Sequence, residues 1–142
     1  NLNEVMWHVI NYLSKRTSDQ VEYICNFPAT PVYLRLCAPL FEWIIENLCK
    51  NAIDAMSGRG RIILTMHELT SMVIIEVTDT GKGIAKNRFK SVFVPGYTTK
   101  QRGWGLGLSL VRRIVEVYHK GRIYVKNSEL GKGTTFRIEL RK

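Results

Sequence analysis

Three polar side chains with the chemistry to bind a cation lie at helical spacing in the first half of the chain. On an α-helix that turns 100° per residue, Asn47, Asn51 and Asp54 would fall within about 60° of one another. Apolar residues recur beside them, so the three side chains would border the buried face of that helix. Amide and carboxylate oxygens placed there could ligate Mg²⁺, which prefers oxygen ligands. An ordinary polar edge of a helix would show the same pattern.

A second candidate is a carboxylate followed by a glycine-rich turn, Asp79-Thr80-Gly81-Lys82-Gly83. Asp79 ends an apolar, strand-like run. A carboxylate in that position can accept a hydrogen bond from an exocyclic amine such as N6 of adenine. A tight turn with a capping aspartate would have the same sequence.

The third candidate is the run Gly103-Trp104-Gly105-Leu106-Gly107-Leu108, which opens directly into a predicted helix. Glycines there expose consecutive backbone N–H groups, and the helix N-terminus adds positive potential, so the run could hold phosphate. It is not a P-loop, because the chain contains no GxxxxGK[ST] sequence. It follows a long loop instead of a strand, which argues against a Rossmann fingerprint, and the companion motifs of protein kinases are absent.

These segments are positioned by elements that the periodicity of the sequence predicts. Helical spacing predicts helices over residues 3–16, 39–56 and 106 to about 119, with a short helix around 86–93 in the loop 80–104. Strand-like runs occupy residues 21–27, 32–36, 61–69, 72–79, 122–127 and 134–140. The order predicts an α+β fold: a two-layer α/β sandwich whose mixed β-sheet of about five strands is covered on one face by three helices.

Composition limits the class of protein further. At 142 residues and 45% hydrophobic, the chain is expected to form one domain with a proper core. It has no apolar run of about 18 residues that would cross a membrane. Its three cysteines, with no CxxC pair, argue against a disulfide framework or a zinc site. Residues 1–80 carry a net charge of −3 and residues 81–142 carry +12, so a polyanionic partner or a solvated basic face is expected.

The order and spacing of these pieces resemble the ATP-binding domain of sensor histidine kinases, within the group that includes gyrase B, MutL and the heat-shock chaperone ATPases. Five blocks carry the resemblance. They are the N box at residues 46–56, the first glycine box Asp79–Gly83, the F box and ATP lid from Phe89 to Lys100, the second glycine box Gly103–Gly107, and the block Gly131–Phe136. The resemblance implies the histidine-kinase ATPase fold over residues 1–142, with ATP and Mg²⁺ as cofactors.

The resemblance also implies roles for individual residues. Asn51 would ligate Mg²⁺, Asp79 would bind adenine N6, and Thr134 would support the adenine pocket. The second glycine box would cradle the phosphates, and Lys100 would reach the γ-phosphate from the lid. The implied nucleotide site draws on all five blocks: Asn47, Asn51, Asp54, Asp79, Gly81, Gly83, Ile84, Lys100, Gly103, Gly105, Leu106, Gly107, Leu108 and Thr134. Many members of the family carry lysine where Asp54 stands.

One position favours phosphoryl transfer over ATP hydrolysis. Hydrolysing relatives place a general-base glutamate one helical turn before the metal asparagine, and here that position is Asn47. An amide cannot take a proton from water. Glu46 stands one residue earlier, so it would lie about 100° around the helix, away from the site. Asn47 and Lys100 are therefore the candidate catalytic residues, acting by positioning and charge neutralisation.

None of the three histidines has the context of a phosphoacceptor. His67, followed by Glu68, ends a strand-like run, so a structural hairpin is expected there. His8 and His119 lie in or beside helices without a matching motif. The acceptor is therefore expected before residue 1, on a dimerisation domain that makes the parent a homodimer, with a response regulator as the further partner. The domain is expected to be cytoplasmic. Many members of the family are anchored in a membrane, which leaves an inner-membrane anchor open for the parent protein.

Other functions on the same sequence stay open at this point. A hydrolysing ATPase or a protein serine kinase could use the same fold. A non-catalytic module could bind nucleotide, or nucleic acid through the basic half. Direct binding of nucleic acid is not expected, because the aromatic residues are not interleaved with basic residues as stacking platforms.

Overall fold

The elements alternate between helices and strands in an α+β order. The computed structural model describes residues 1–17, 19–94 and 107–142. Two 3₁₀ turns, Lys86–Arg88 and Ser91–Phe93, stand where a short helix was predicted. The longer elements are α1 (Leu2–Arg16), β1 (Val21–Asn26), α2 (Ala38–Ala55), β2 (Gly60–Glu68), β3 (Met72–Asp79), α3 (Gly107–Arg113), β4 (Arg122–Glu129) and β5 (Gly133–Arg141).

The five strands form one mixed sheet in the order β1-β2-β3-β5-β4. The pair β1–β2 is parallel, and the pairs β2–β3, β3–β5 and β4–β5 are antiparallel. The predicted mixed sheet of five strands is therefore confirmed. The predicted hairpin through His67 is confirmed as well, since His67 of β2 pairs with Ile74 of β3.

Helices α1 and α2 each bury one apolar face, as their periodicity predicts. The Asn1 side chain caps α1 by accepting a hydrogen bond from the Glu4 N–H at 3.2 Å. Pro39 lies in the first turn of α2, where its missing N–H has no helical partner to lose. The buried positions of α2 are Phe41, Ile44, Ile45, Leu48, Cys49 and Ala52.

The strand predicted at residues 32–36 is wrong, because that segment lies outside the sheet. The backbone of Val32 bonds to the start of α1. The Val32 carbonyl accepts from the Leu2 N–H, and the Val32 N–H donates to Oδ1 of Asn3, both at 2.8 Å. The segment instead anchors a fully buried Val32 side chain beside α1.

The helix predicted from residue 106 to about 119 is regular only in its first part. From Gly107 it is α-helical to Arg113, and a π-helical segment then runs from Ile114 to Tyr118. The His119 ring follows and links two elements: its Nδ1 donates to the Ile114 carbonyl and its Nε2 accepts from the Cys37 N–H, both at 3.1 Å. The end of this helix is thereby tied to the start of α2.

The sheet face turned away from the helices carries paired charges. Glu76 of β3 lies 2.9 Å from Nζ of Lys126 and 3.8 Å from the Arg137 guanidinium. Glu139 lies 3.5 Å from Arg122 and 3.1 Å from Nε of Arg137. Part of the basic excess of the second half of the chain is therefore neutralised within the sheet. No helix in the described part of the chain is long and apolar enough to cross a membrane.

Candidate functional site

Asp79 lies at the last position of β3, where the residue is only 4% exposed. It pairs directly with Thr134 of the neighbouring β5, which is equally buried. The Asp79 Oδ1 atom accepts a hydrogen bond from the Gly81 N–H at 2.8 Å. Burial raises the pKa of Asp79, and hydrogen bonds from the N–H groups of Gly81 and Thr134 oppose that rise. The end of β3 thus holds a desolvated acceptor, which is suited to a hydrogen-bond donor on a ligand.

The turn after Asp79 packs against the C-terminus of α2. The Lys82 N–H donates to the Ala55 carbonyl at 2.9 Å. A Cβ atom on Gly81 would lie 2.6 Å from the same carbonyl oxygen, which is closer than real contacts allow. Glycine is required at this position, and its close approach holds the turn after Asp79 against the C-terminus of α2.

The second glycine of the turn fits against the β4–β5 connection. Gly83 has a φ of +79°, which favours glycine, and a Cβ atom there would overlap the carbonyl oxygen of Glu129. The Lys82 carbonyl accepts from the Gly131 N–H at 2.8 Å, and the Ile84 N–H donates to Oγ of Ser128 at 2.7 Å. The Asp79 turn is therefore held on both sides, by α2 and by the connection between β4 and β5.

We expect Gly83→Ala to lower the free energy of unfolding by about 3 kcal/mol, combining left-handed backbone strain with overlap of the Glu129 carbonyl. Gly131→Ala is the matched control, because Gly131 has a φ of +81° but nothing within 4 Å of its would-be Cβ. That control is expected to lose only about 1–2 kcal/mol. Urea unfolding of both variants measures the difference, and equal losses would show that the close approach at Gly83 contributes nothing.

The polar face of α2 turns towards the start of α3. Asn47 and Asn51 are half-buried, whereas Asp54 is exposed. The Asn47 Nδ2 group donates to the Trp43 carbonyl at 2.9 Å. Its Oδ1 atom therefore faces the other way, where a Cβ atom built on Gly107 would lie 3.6 Å from it. An amide oxygen on α2 thus lies beside the first residue of α3.

Glu46 points away from this face, as the helical geometry predicts. Its Oε1 atom lies 2.9 Å from Nζ of Lys50, one turn along α2, and the Lys50 side chain is 61% exposed. The carboxylate nearest in sequence to Asn47 is therefore held on the outer surface of the helix, away from Gly107.

The aromatic residues after the Asp79 turn anchor that segment to the sheet. Phe93 is buried and meets Phe136 of β5 edge-on, with ring centroids 6.0 Å apart and planes at 89°. The Arg112 guanidinium of α3 lies 5.8 Å from the Phe93 ring. Phe93 thereby connects α3 to the sheet next to the Asp79–Thr134 pair.

The structure brings most of the predicted site residues that it describes into two groups. Asp79, Gly81, Gly83, Ile84 and Thr134 meet at the ends of β3 and β5, while Asn47 lies beside Gly107. Leu108 is half-buried and packs against the core. Four predicted site residues lie outside the described residues: Lys100, Gly103, Gly105 and Leu106.

Ser128 is a site residue that the sequence analysis missed. The pairing of β4 with β5 is irregular between Val125 and Asn127, so Ser128 pairs with Thr134. Simple alternation from Val125 would have placed Asn127 there instead. The Ser128 Oγ atom lies 2.7 Å from Oγ1 of Thr134 and donates to the Gly133 carbonyl at 2.9 Å. A bulge is not encoded in residue alternation, which is why the sequence did not reveal this contact.

Comparison with known proteins defines the class. Residues 38–142 match the family described as histidine kinase-, DNA gyrase B-, and HSP90-like ATPase, and the chain belongs to this family. Binding of ATP is the property that this ATPase family implies. The resemblance drawn from the five blocks is thereby confirmed.

The sequence relatives and solved structures that the chain resembles include sensor histidine kinases and a histidine kinase catalytic domain. The sensor histidine kinase ZraS of Salmonella typhi is 40% identical over 143 residues, an alignment that covers 99% of this chain. The chain spans 30% of the length of that relative. The catalytic domain of histidine kinase ThkA has a TM-score of 0.89 at 28% identity, covering 100% of this chain and 93% of that one.

A second structure of ThkA, in complex with the response regulator protein TrrA, has a TM-score of 0.86 at 26% identity. It covers 100% of this chain and 40% of that chain. The predicted α+β histidine-kinase ATPase fold is therefore confirmed.

Proposed function

We propose that residues 1–142 form the ATP-binding catalytic domain of a two-component sensor histidine kinase. In this proposal the domain binds Mg-ATP and presents the γ-phosphate to a histidine on a dimerisation domain elsewhere in the parent protein, which forms a homodimer through that domain. The observation that carries the proposal is the buried Asp79–Thr134 pair, followed by a glycine turn that packs against the C-terminus of α2.

The Asp79 corner, formed by Asp79, Gly81, Gly83, Ile84 and Thr134, fits the adenine end of the nucleotide. Asp79 is 4% exposed and accepts hydrogen bonds from the N–H groups of Gly81 and Thr134, and the remaining lone pairs of its carboxylate could accept from an exocyclic amine. Gly81 and Gly83 let this turn pack closely against Ala55 of α2 and the Glu129 carbonyl, which fixes the position of the Asp79 carboxylate. Asn47 and Gly107 would form the phosphate-binding part of the site, which the rest of the second glycine box and Lys100 would complete.

The metal would be held by amide oxygen. Asn51 lies one turn after Asn47 on the same face of α2, and Mg²⁺ takes one or two protein oxygens together with phosphate oxygens and water. In the described ranges 1–17, 19–94 and 107–142, no group of three or more His, Cys, Asp or Glu side chains could hold a metal. A site made of the Asn51 amide oxygen, phosphate oxygens and water would need no such group of side chains. A bound Mg²⁺ there would neutralise charge on the transferred phosphoryl group.

The residues at the site favour transfer to a protein nucleophile over hydrolysis. Asn47 has no basic atom to activate water, and Glu46 is engaged with Lys50 on the outer surface of α2. Transfer would then depend on alignment of the acceptor histidine, with Asn47 and Lys100 positioning the phosphates. We place the domain in the cytoplasm, with a response regulator as the next partner, in keeping with the ThkA complex.

Titration calorimetry with ADP and Mg²⁺ tests the binding step. We expect saturable binding, and no heat at millimolar nucleotide would rule the proposal out. The transfer step is tested by supplying γ-labelled ATP and a purified dimerisation domain from the parent protein. Label on that domain's histidine supports transfer, whereas rapid release of phosphate by the isolated domain would support a hydrolysing ATPase.

A nucleic-acid-binding module is the alternative from another class. The paired charges on the open sheet face, Glu76 and Glu139 with their basic partners, speak against it. Salt-sensitive DNA binding that ATP does not displace would overturn the proposal in favour of this alternative.

A further inference from the structure

Ser128 lies at the centre of three short polar contacts beside Thr134. The Ile84 N–H lies 2.7 Å from its Oγ atom, the Gly133 carbonyl 2.9 Å, and Oγ1 of Thr134 2.7 Å. The irregular pairing after Val125 brings Ser128 to this position, opposite Thr134. The hydroxyl therefore joins the Asp79 turn, through Ile84, to the first residues of β5.

The three contacts fix the direction of every hydrogen bond. A serine hydroxyl has one hydrogen to donate and two lone pairs to accept. The Ile84 N–H can only donate and the Gly133 carbonyl can only accept. Since Ser128 gives its hydrogen to Gly133, Thr134 must donate to Ser128. Any other arrangement leaves the Gly133 contact without a hydrogen.

The consequence is that the Thr134 hydroxyl keeps only acceptor capacity. Its partner across the strands, Asp79, is an acceptor as well, because an ionised carboxylate has no hydrogen. Two buried acceptors therefore lie side by side at the ends of β3 and β5. A ligand atom that can only accept a hydrogen bond would leave the Asp79 carboxylate and the Thr134 hydroxyl without a donor, or would be repelled by them.

We propose that Ser128 is a positioning residue that sets nucleobase selectivity by holding the Thr134 hydroxyl as an acceptor. This inference rests on the proposed function, since it requires a purine at the Asp79 corner. The corner then favours a base with an amine at the 6-position, as in adenine, over one with a carbonyl there, as in hypoxanthine.

The test compares the affinities for ADP and IDP, whose bases differ at that position. For Ser128→Ala we expect the ratio of the IDP and ADP dissociation constants to fall by about tenfold, because the freed Thr134 hydroxyl can turn and donate to the carbonyl. Ser128→Thr retains the hydroxyl and should restore the wild-type ratio. Asn127→Ala, one residue away and exposed, is the local control and should leave the ratio unchanged.

Thr134→Val keeps the test decisive if Ser128→Ala does not fold. It removes the acceptor with little change of shape and should also lower the ratio. If the ratio of the IDP and ADP dissociation constants is unchanged in both variants, the inference is overturned and the proposed function is unaffected. If Ser128→Ala is unfolded, an unchanged ratio in Thr134→Val alone has the same meaning. If the wild-type domain binds neither nucleotide, the proposed function fails instead, so the two failures are distinguishable.

Discussion

Replacing Asp79 with Asn is expected to weaken ADP binding by about 10–100-fold while raising the free energy of unfolding of the nucleotide-free domain. The loss of affinity follows from replacing a charged acceptor, whose hydrogen bonds contribute about 1.5–3 kcal/mol, by a neutral amide. The gain in stability follows from burial, which raises the pKa of Asp79 and so marks the ionised form as unfavourable in the folded state. The amide oxygen of Asn can still accept from the Gly81 N–H.

The pH dependence separates these two effects. Because the folded-state pKa lies above the unfolded value of 3.8, the folded state binds more protons between the two pKa values. The wild-type domain therefore loses stability relative to Asp79→Asn as pH rises through the folded pKa, and the difference closes as pH falls below 3.8. Affinity for ADP moves in the opposite direction, weakening as pH falls through the raised pKa, because a protonated carboxyl is a poorer acceptor.

Thermal unfolding and ADP titration of wild type, Asp79→Asn and Asp19→Asn measure both effects. Asp19 is exposed, so the same substitution there controls for the change in net charge. An Asp79→Asn variant that binds ADP as tightly as wild type would remove Asp79 from the adenine role. A variant that is less stable than wild type at neutral pH would contradict the argument from burial.

The helix and sheet positions that surround Asp79 follow from sequence periodicity, and the exceptions have local physical causes. Apolar spacing defined α1 and α2, and with them the shared face of Asn47 and Asn51. The run at residues 32–36 alternates like a strand, but the N–H of Leu2 and the side chain of Asn3 take the backbone bonds of Val32. Tertiary hydrogen bonding thus overrode a valid local pattern.

Two features of the structure, one of them in the site, depend on irregular backbone that residue patterns do not encode. Because of the bulge after Val125, Ser128 lies opposite Thr134, where regular pairing would place Asn127. The π-helical segment after Arg113 precedes His119, whose ring bonds bridge to Cys37. The motif residues themselves could be recognised from the spacing of the glycines. Glycine stands at such positions because a close approach, such as that of Gly81 to Ala55, leaves no space for a side chain.

Replacing Asn51 with Ala is expected to weaken ADP binding about tenfold or more in Mg²⁺ and by less than about threefold in EDTA. A metal ion contributes several kcal/mol of charge stabilisation to phosphoryl transfer, so transfer to the acceptor domain should fall by about 100-fold or more. The asymmetry arises because the Asn51 amide would contact the nucleotide through the metal alone. Alanine is a good helix former, so α2 itself should be unaffected.

Asn11→Ala supplies the matched control for Asn51→Ala, since it makes the same substitution on an exposed face of α1. Titration of both variants with ADP, in Mg²⁺ and in EDTA, yields the ratio of affinities that isolates the metal. Equal losses in the two conditions would show that Asn51 contacts the nucleotide directly. If Asn51→Ala leaves both the ratio of ADP affinities in Mg²⁺ and EDTA and the transfer activity at their wild-type values, the metal is held by other groups. The face of α2 that carries Asn47 and Asn51 would then serve only to position the phosphates beside Gly107.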